Sequence, residues 1–299
     1  MKKFASLTKR NVKLFFKDKG MFFTSLITPI ILLVLYVTFL ANVFRDTFVS
    51  ALPDGFTVSE KLINGFAGAE LFSSLLAVCC VTVSFCCNML MVQDKITGAR
   101  TDLTMAPVKN SVLSLSYYTA TLISTLIVCY VAAGAGFIYM AKVGWYLSVK
   151  DVVFILIDIF LLVMFGTALS SVMNFFLSTQ GQISAVGTIV SAGYGFICGA
   201  YMPISSFGTG LQKVLSFLPG TYGTSLIRNH TLHGTFEEMA AVGFPDEVVE
   251  AIKDSVDCNL YFFDNSVSES SMYIVMAVTV VVLILIYVLC GRIFPSKTK

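Results

Sequence analysis

Six stretches of this chain are apolar over twenty or more residues, enough to cross about 30 Å of hydrocarbon at 1.5 Å per helical residue. They run from about Met21 to Phe44, Ala67 to Val92, Val112 to Met140, Val152 to Leu177, Ile183 to Phe207 and Ser271 to Phe294. Backbone left unpaired in lipid is too costly to expose, so such runs form helices or a closed barrel, and uninterrupted runs favour helices. The expected fold class is an all-α membrane protein with six transmembrane helices. Composition agrees: 56% of residues are hydrophobic and 13% charged, against roughly 25% charged in a soluble domain. An ordinary soluble globule, a disordered chain and a coiled coil are all excluded.

Formal net charge is only +2, so no global basic field points to nucleic acid, and the distribution of charge carries the information. Seven basic residues precede Met21 (Lys2, Lys3, Lys9, Arg10, Lys13, Lys17 and Lys19). Lys95, Arg100 and Lys109 lie between the second and third runs, and Arg292, Lys297 and Lys299 lie in the tail. The opposite side has Arg45, Lys61, Lys142, Lys150, Lys213, Arg228 and Lys253, diluted over longer loops. The bias places both termini in the cytoplasm. The first run is too long, and lacks the small-residue cleavage site, for a removable signal peptide. Ahead of it, in residues 1–20, Phe4, Leu7, Val12, Phe15 and Phe16 recur at near-helical spacing among the lysines. That pattern reads as an interfacial amphipathic helix on the inner leaflet, the alternative being a simple basic retention flank.

Of eight cysteines, seven fall within the apolar runs and read as small packing residues; Cys258 is expected outside, free or intermolecular. The adjacent pairs Cys79-Cys80 and Cys86-Cys87 lack Cys-x-x-Cys spacing, so no metal site is expected there. His230 and His233 share a helical face near Glu237, a possible metal face, but such residues are more often solvated. No Gly-Lys dipeptide occurs, so the chain has no phosphate-binding loop of the Walker A type and is not expected to be an enzyme on its own. Asp158 is read as the carboxylate within a span, lining a path or pairing with a polar neighbour such as Asn88 or Asn174.

The segment Gln93–Val108 is short and polar, with Ile96, Leu103 and Met105 apolar among Asp94, Lys95, Arg100 and Asp102. Here the sequence resembles the permease subunits of type-two ABC exporters, whose first cytoplasmic loop carries an acidic stretch, a Gly-Thr, a leucine turn and Thr-Pro-Val. Gly98, Asp102, Leu103, Pro107 and Val108 match, while Ala99 and Ala106 stand where the family usually has threonine. A second likeness is Gly199-Ala-Tyr-Met-Pro203-Ile, Leu211-Gln212, Leu218-Pro219-Gly-Thr-Tyr222-Gly and Leu226-Ile-Arg228, which in the family forms a helix end, a proline-bounded break and short re-entrant helices. Pro203 and Pro219 interrupt helices, and Leu211, Val214, Leu215 and Leu218 give an apolar face long enough to dip but not to span; an ordinary surface loop is the alternative. Lys9-Arg10-Asn11, then Phe15 to Asp18 and Pro29, also look like the family's amino-terminal helix.

The resemblance implies an amphipathic helix at 1–20, five spans within 21–207 with a coupling loop at 93–109, re-entrant external helices at 208–232, and the sixth span with its tail at 270–299; the acidic external insertion at 233–269 departs from the family's shortest members. It also implies roles. Asp94, Lys95, Gly98, Arg100, Asp102, Leu103 and Pro107 would meet separate ATP-binding subunits, which would hold ATP and Mg, this chain having no cofactor. Pro203, Leu211, Pro219, Tyr222 and Arg228 would form the exit gate. Gly195 and Gly199 would pack helices or a homodimer or sibling heterodimer, within membrane lipid, and a bacterial plasma membrane is the expected location. Within the insertion, Asp246 follows Pro245, and Val248, Val249 and Ile252 have helical spacing, so one amphipathic helix is expected. The substrate would be an amphipathic drug, peptide or lipid-like molecule exported outward. The other reading, a stand-alone secondary transporter or channel, would want an internal repeat, and none is visible between residues 1–150 and 151–299.

Overall fold

The computed structural model describes residues 2–50, 58–105, 108–263 and 265–293. Helix α1 (Lys2–Lys17) stops at Asp18, whose carboxylate caps the next helix by accepting from the Met21 amide at 3.0 Å. Helix α2 (Lys19–Leu35) holds Pro29 without breaking, passes through a π-helical turn at Tyr36–Leu40, and continues as α3 (Ala41–Ser50). α1 and α2 are bent by 71° to one another, so the lysine-rich helix does not extend the apolar one.

Helix α4 (Glu60–Ile96) is the centre of the molecule. Ser59 caps its start and Glu60 lies in its first turn, where an acid favours the helix dipole. Over 37 residues it reaches about 55 Å. Its apolar residues form no stripe, because they meet protein all round: its most apolar window is 89% buried, against 17% for the peripheral α12 (Glu269–Ile293). Around it stand α6 (Asn110–Val143), α7 (Val149–Phe176, opened by a Ser148/Asp151 capping box), α8 (Gln180–Ile197, opened by Thr179/Gln182) and α10 (Pro219–Val242, with proline at its first turn).

The helices overrun the apolar windows at most ends, since capped and paired polar turns extend them. Taken singly, four described helices (α4, α6, α7 and α12) are long and apolar enough to cross a membrane, and the bent α1–α2 pair makes up to five. The fifth window corrects most. Helix there covers only Gln180–Ile197, and Gly199 at φ +76° turns the chain before a single turn at Ile204–Ser206 and the short α9 (Thr209–Leu215).

α10 runs without a break through residues 232 and 233, where the expected re-entrant segment gives way to the acidic insertion. Leu232 before that point and Gly234, Thr235 and Phe236 after it are all buried, so one continuous helix packs across it. Beyond it, α11 (Asp246–Ser255) forms the expected amphipathic helix, burying Val249 and Ile252. The fold is all-α as expected, with one small antiparallel hairpin, β1 (Leu260–Phe262) with β2 (Asn265–Val267), among the helices. Cys258 is free, one of the two states expected, and is buried at 2% exposure, where that burial pushes its thiol up.

Candidate functional site

At the end of α4, the side chains expected to face a partner divide into two groups. Asp94 is buried and receives Arg10 from α1 (Nη1 at 2.6 Å, Nη2 at 3.2 Å) and the Tyr117 hydroxyl from α6. Lys95 donates to three carbonyls at the end of α7, those of Asn174, Phe175 and Leu177, at 2.6–3.1 Å. Both therefore fasten helix ends inside the chain. Gly98, at φ +81°, makes the turn that reverses the chain into α5 (Ala99–Met105). On α5, Asp102 and Met105 are exposed, the latter at 81%, and Leu103 packs inward, while Ile96 at the last turn of α4 is exposed as well. Arg100 has its Nε and Nη1 buried without a hydrogen-bond partner. Pro107 lies outside the described residues.

The second site is a buried charge cluster around Arg228, itself 1% exposed. α10 places its guanidinium against Glu70 of α4, Nε to Oε1 at 2.9 Å as an ion pair without hydrogen-bond alignment, and 3.6 Å from Asp257. Nη2 donates to the Gly199 carbonyl at 2.9 Å and the Ser74 hydroxyl at 3.2 Å. Asp257 accepts from the Ile204 and Ser205 amides at 2.6 and 3.2 Å, and burial pushes its carboxyl up against the opposing pull of Arg228. One cation thus joins the central helix, the end of α8 and the chain after α11. Arg228, expected at the exit gate, is buried and ties these three segments together. Pro219 opens α10, Tyr222 donates to the Ser216 carbonyl at 2.5 Å, and Leu211 on α9 is exposed. Pro203 precedes the turn that Asp257 holds.

Asp158 pairs neither with Asn88 nor with Asn174. Its carboxylate meets His230 Nδ1 of α10 at 2.7 Å and accepts from the Tyr273 hydroxyl of α12, joining three helices, while His230 stacks on Phe154 at 4.8 Å. Asn88 donates instead to Ser170 and Ser171, at 3.0 and 2.9 Å, and Asn174 Nδ2 is buried without a partner. The expectation that His230 is solvated is thereby corrected. His233 is the outer one, 3.1 Å from Asp151, and among the described residues no three His, Cys, Asp or Glu converge as metal ligands. A cavity of about 680 Å³ opens above the Asp158 pair, lined by both histidines, Asp151, Glu237, Glu269 and Lys253 among others.

Glu70 was not singled out in the sequence, although a carboxylate inside an apolar run is itself a signal. Nor were Asp257 and Tyr273, which nothing in the local sequence distinguishes from loop and helix-surface residues.

Gly195 and Gly199 are occupied within the chain. A β-carbon at Gly195 would overlap the Tyr201 ring, and one at Gly199 would sit 2.9 Å from Asp257 Oδ2. Between α2 and α8 runs a groove of about 910 Å³ lined by Thr24, Thr28, Ile31, Gly187, Thr188 and Ser191, and a more apolar one of about 610 Å³ lies between α2, α4 and α6.

Long apolar helices around a buried centre, with a fastened helical turn at one end and a charge-tied cap at the other, define a multi-pass membrane permease. The comparison with known families makes it specific: the profile of the ABC-2 type transporter family matches residues 2–231, and the chain belongs to that family. No curated protein matches the chain.

Proposed function

We propose that this chain is the six-span membrane subunit of an ATP-driven exporter, with α1 on the cytoplasmic leaflet, both termini in the cytoplasm of a bacterial plasma membrane, and α8 counted as the fifth span. α5 is the contact for separate ATP-binding subunits, and the observation that carries this is its exposed Asp102 and Met105, following a helix end that Asp94 and Lys95 fasten to α1, α6 and α7. Those subunits hold ATP and Mg and supply the hydrolysis, since the chain has no Gly-Lys dipeptide. Closure of the nucleotide-bound pair pushes α5; the Arg10–Asp94 link and Lys95 transmit the push to α1, α4 and α7 as rigid bodies.

The groove between α2 and α8 supports pairing with a second copy or a sibling permease, because both helices leave apolar residues exposed along it, Ile27 at 51% and Phe196 at 51%. Its mixed lining of threonine, serine and isoleucine suits an amphipathic drug, peptide or lipid-like substrate. The test is uptake of a fluorescent amphipathic cation into inside-out membrane vesicles that contain the chain. ATP-dependent accumulation, lost in Asp102→Lys, supports the reading. Accumulation driven by an ion gradient without ATP would make the chain a stand-alone secondary transporter instead.

A further inference from the structure

α1 carries a second surface that the permease reading leaves unused. Thr8, Asn11 and Phe15 are its buried side, packed on α6, and Arg10 pins it to Asp94. Advancing 100° per residue, Lys2, Lys9, Lys13 and Lys17 fall within an arc of about 80° centred opposite that buried side. All four are exposed, and α1 contains no carboxylate to neutralise them. Beside the lysine row Phe16 is 38% exposed, and past the 71° bend α2 presents Phe23, Ile27 and Ile30 outward at 51–62%. The row of ammonium groups therefore meets the apolar belt at the bend, where a lipid's phosphate would meet its acyl chain.

We propose that this lysine face binds the headgroups of anionic phospholipids in the cytoplasmic leaflet. It rests on the orientation proposed above. Lysine suits the task, since a point charge on a flexible stem follows mobile phosphates, and each basic residue close to an anionic surface adds to the attraction. An ATP-binding subunit fits this face less well. It would have to meet a face with no acid and no apolar centre, whereas α5 offers both.

The test uses the full-length chain extracted with a disc-forming polymer from vesicles of phosphatidylcholine containing about one-quarter phosphatidylglycerol, followed by lipid analysis. The expected result is phosphatidylglycerol enriched about threefold around the protein. That enrichment should vanish in a variant with Lys2, Lys9, Lys13 and Lys17 changed to Gln. It should persist in a charge-matched control with Lys61, Lys142, Lys150 and Lys213 changed to Gln, and in excess glycerol phosphate, which separates a lipid surface from a soluble-phosphate site. No enrichment, or equal enrichment in both variants, overturns the proposal. So does unchanged enrichment in the lysine variant combined with its failure, when isolated from its native membrane, to retain an ATP-binding subunit that the original sequence retains, which would give the face to a protein. Enrichment that persists while ATP-driven uptake is absent leaves the lipid surface standing and removes only the exporter reading.

Discussion

The region formed by α4, α7, α10 and α12 and the region formed by α2 and α8 are both built from apolar helices, yet they satisfy their surfaces in opposite ways. In the first, buried polar groups hold the helices to one another: Arg228 to Glu70 and Asp257, Asp158 to His230 and Tyr273, Asn88 to Ser170 and Ser171. In the second, α8 buries only Ile183, Tyr194 and Gly195, and α2 turns Ile27, Ile30, Ile31 and Val34 outward. With lipid for solvent there is little hydrophobic drive between helices, so polar contacts and close packing decide which helices stay together. The first region is complete within the chain. The second leaves its surface to lipid or to another protein.

The largest expected effect breaks the first region. Arg228→Met leaves Glu70 and Asp257 buried without their cation, and a loss of about 3–5 kcal/mol is expected, read as a fall in the detergent-solubilised unfolding midpoint. Adding Glu70→Gln and Asp257→Asn should recover part of it; no recovery would mean that packing, rather than charge, was lost.

Next is Gly234→Ala on α10, where a β-carbon would overlap the Tyr146 carbonyl. About 1–3 kcal/mol is expected from overpacking, measured in the same way. Asp158→Asn comes third. It keeps the shape but weakens two hydrogen bonds, at about 1–2 kcal/mol, and if the carboxylate serves only to join α7, α10 and α12, the dependence of transport on pH will not change.

Ile189→Trp then sharpens the comparison from the other side. Ile189 on α8 is 70% exposed, so the single chain's stability should move by less than about 0.5 kcal/mol, while cross-linking should show a smaller dimer fraction if that face meets a second copy. The smallest effect belongs to Glu250, whose carboxyl is held below its usual range by hydrogen bonds from Lys253 and Asn259. A depressed carboxyl stabilises above its unfolded value and loses that contribution as pH falls through the folded one. The pair is exposed, so Glu250→Gln should cost under about 0.5 kcal/mol near neutrality and nothing in acid.

Sequence periodicity and length made the helices legible because lipid admits so few alternatives, and α6, α7 and α12 lie within three residues of their apolar windows. The tertiary partners were not legible in the same way. Asp158 and His230 are 72 positions apart and Arg228 and Glu70 158 apart, so only the fold brings them together. Asp94 and Lys95 looked like surface residues because charge in a short loop usually is. Here the loop is the last turn of a long helix, and the charges find partners on α1, α6 and α7. Gly195 and Gly199 read as an interhelical contact from their spacing, but the ring of Tyr201 and the carboxylate of Asp257 already fill the space.

The central claim is that this chain moves solute only with an ATP-binding subunit seated on α5. The direct measurement is purification of the tagged chain from its native membrane in mild detergent, for the original sequence and for Asp102→Lys. A co-purifying subunit with a Walker A motif, retained by the original and lost from the variant while both chains stay folded, is the expected result. A chain that purifies alone and still moves solute after reconstitution without ATP would contradict it.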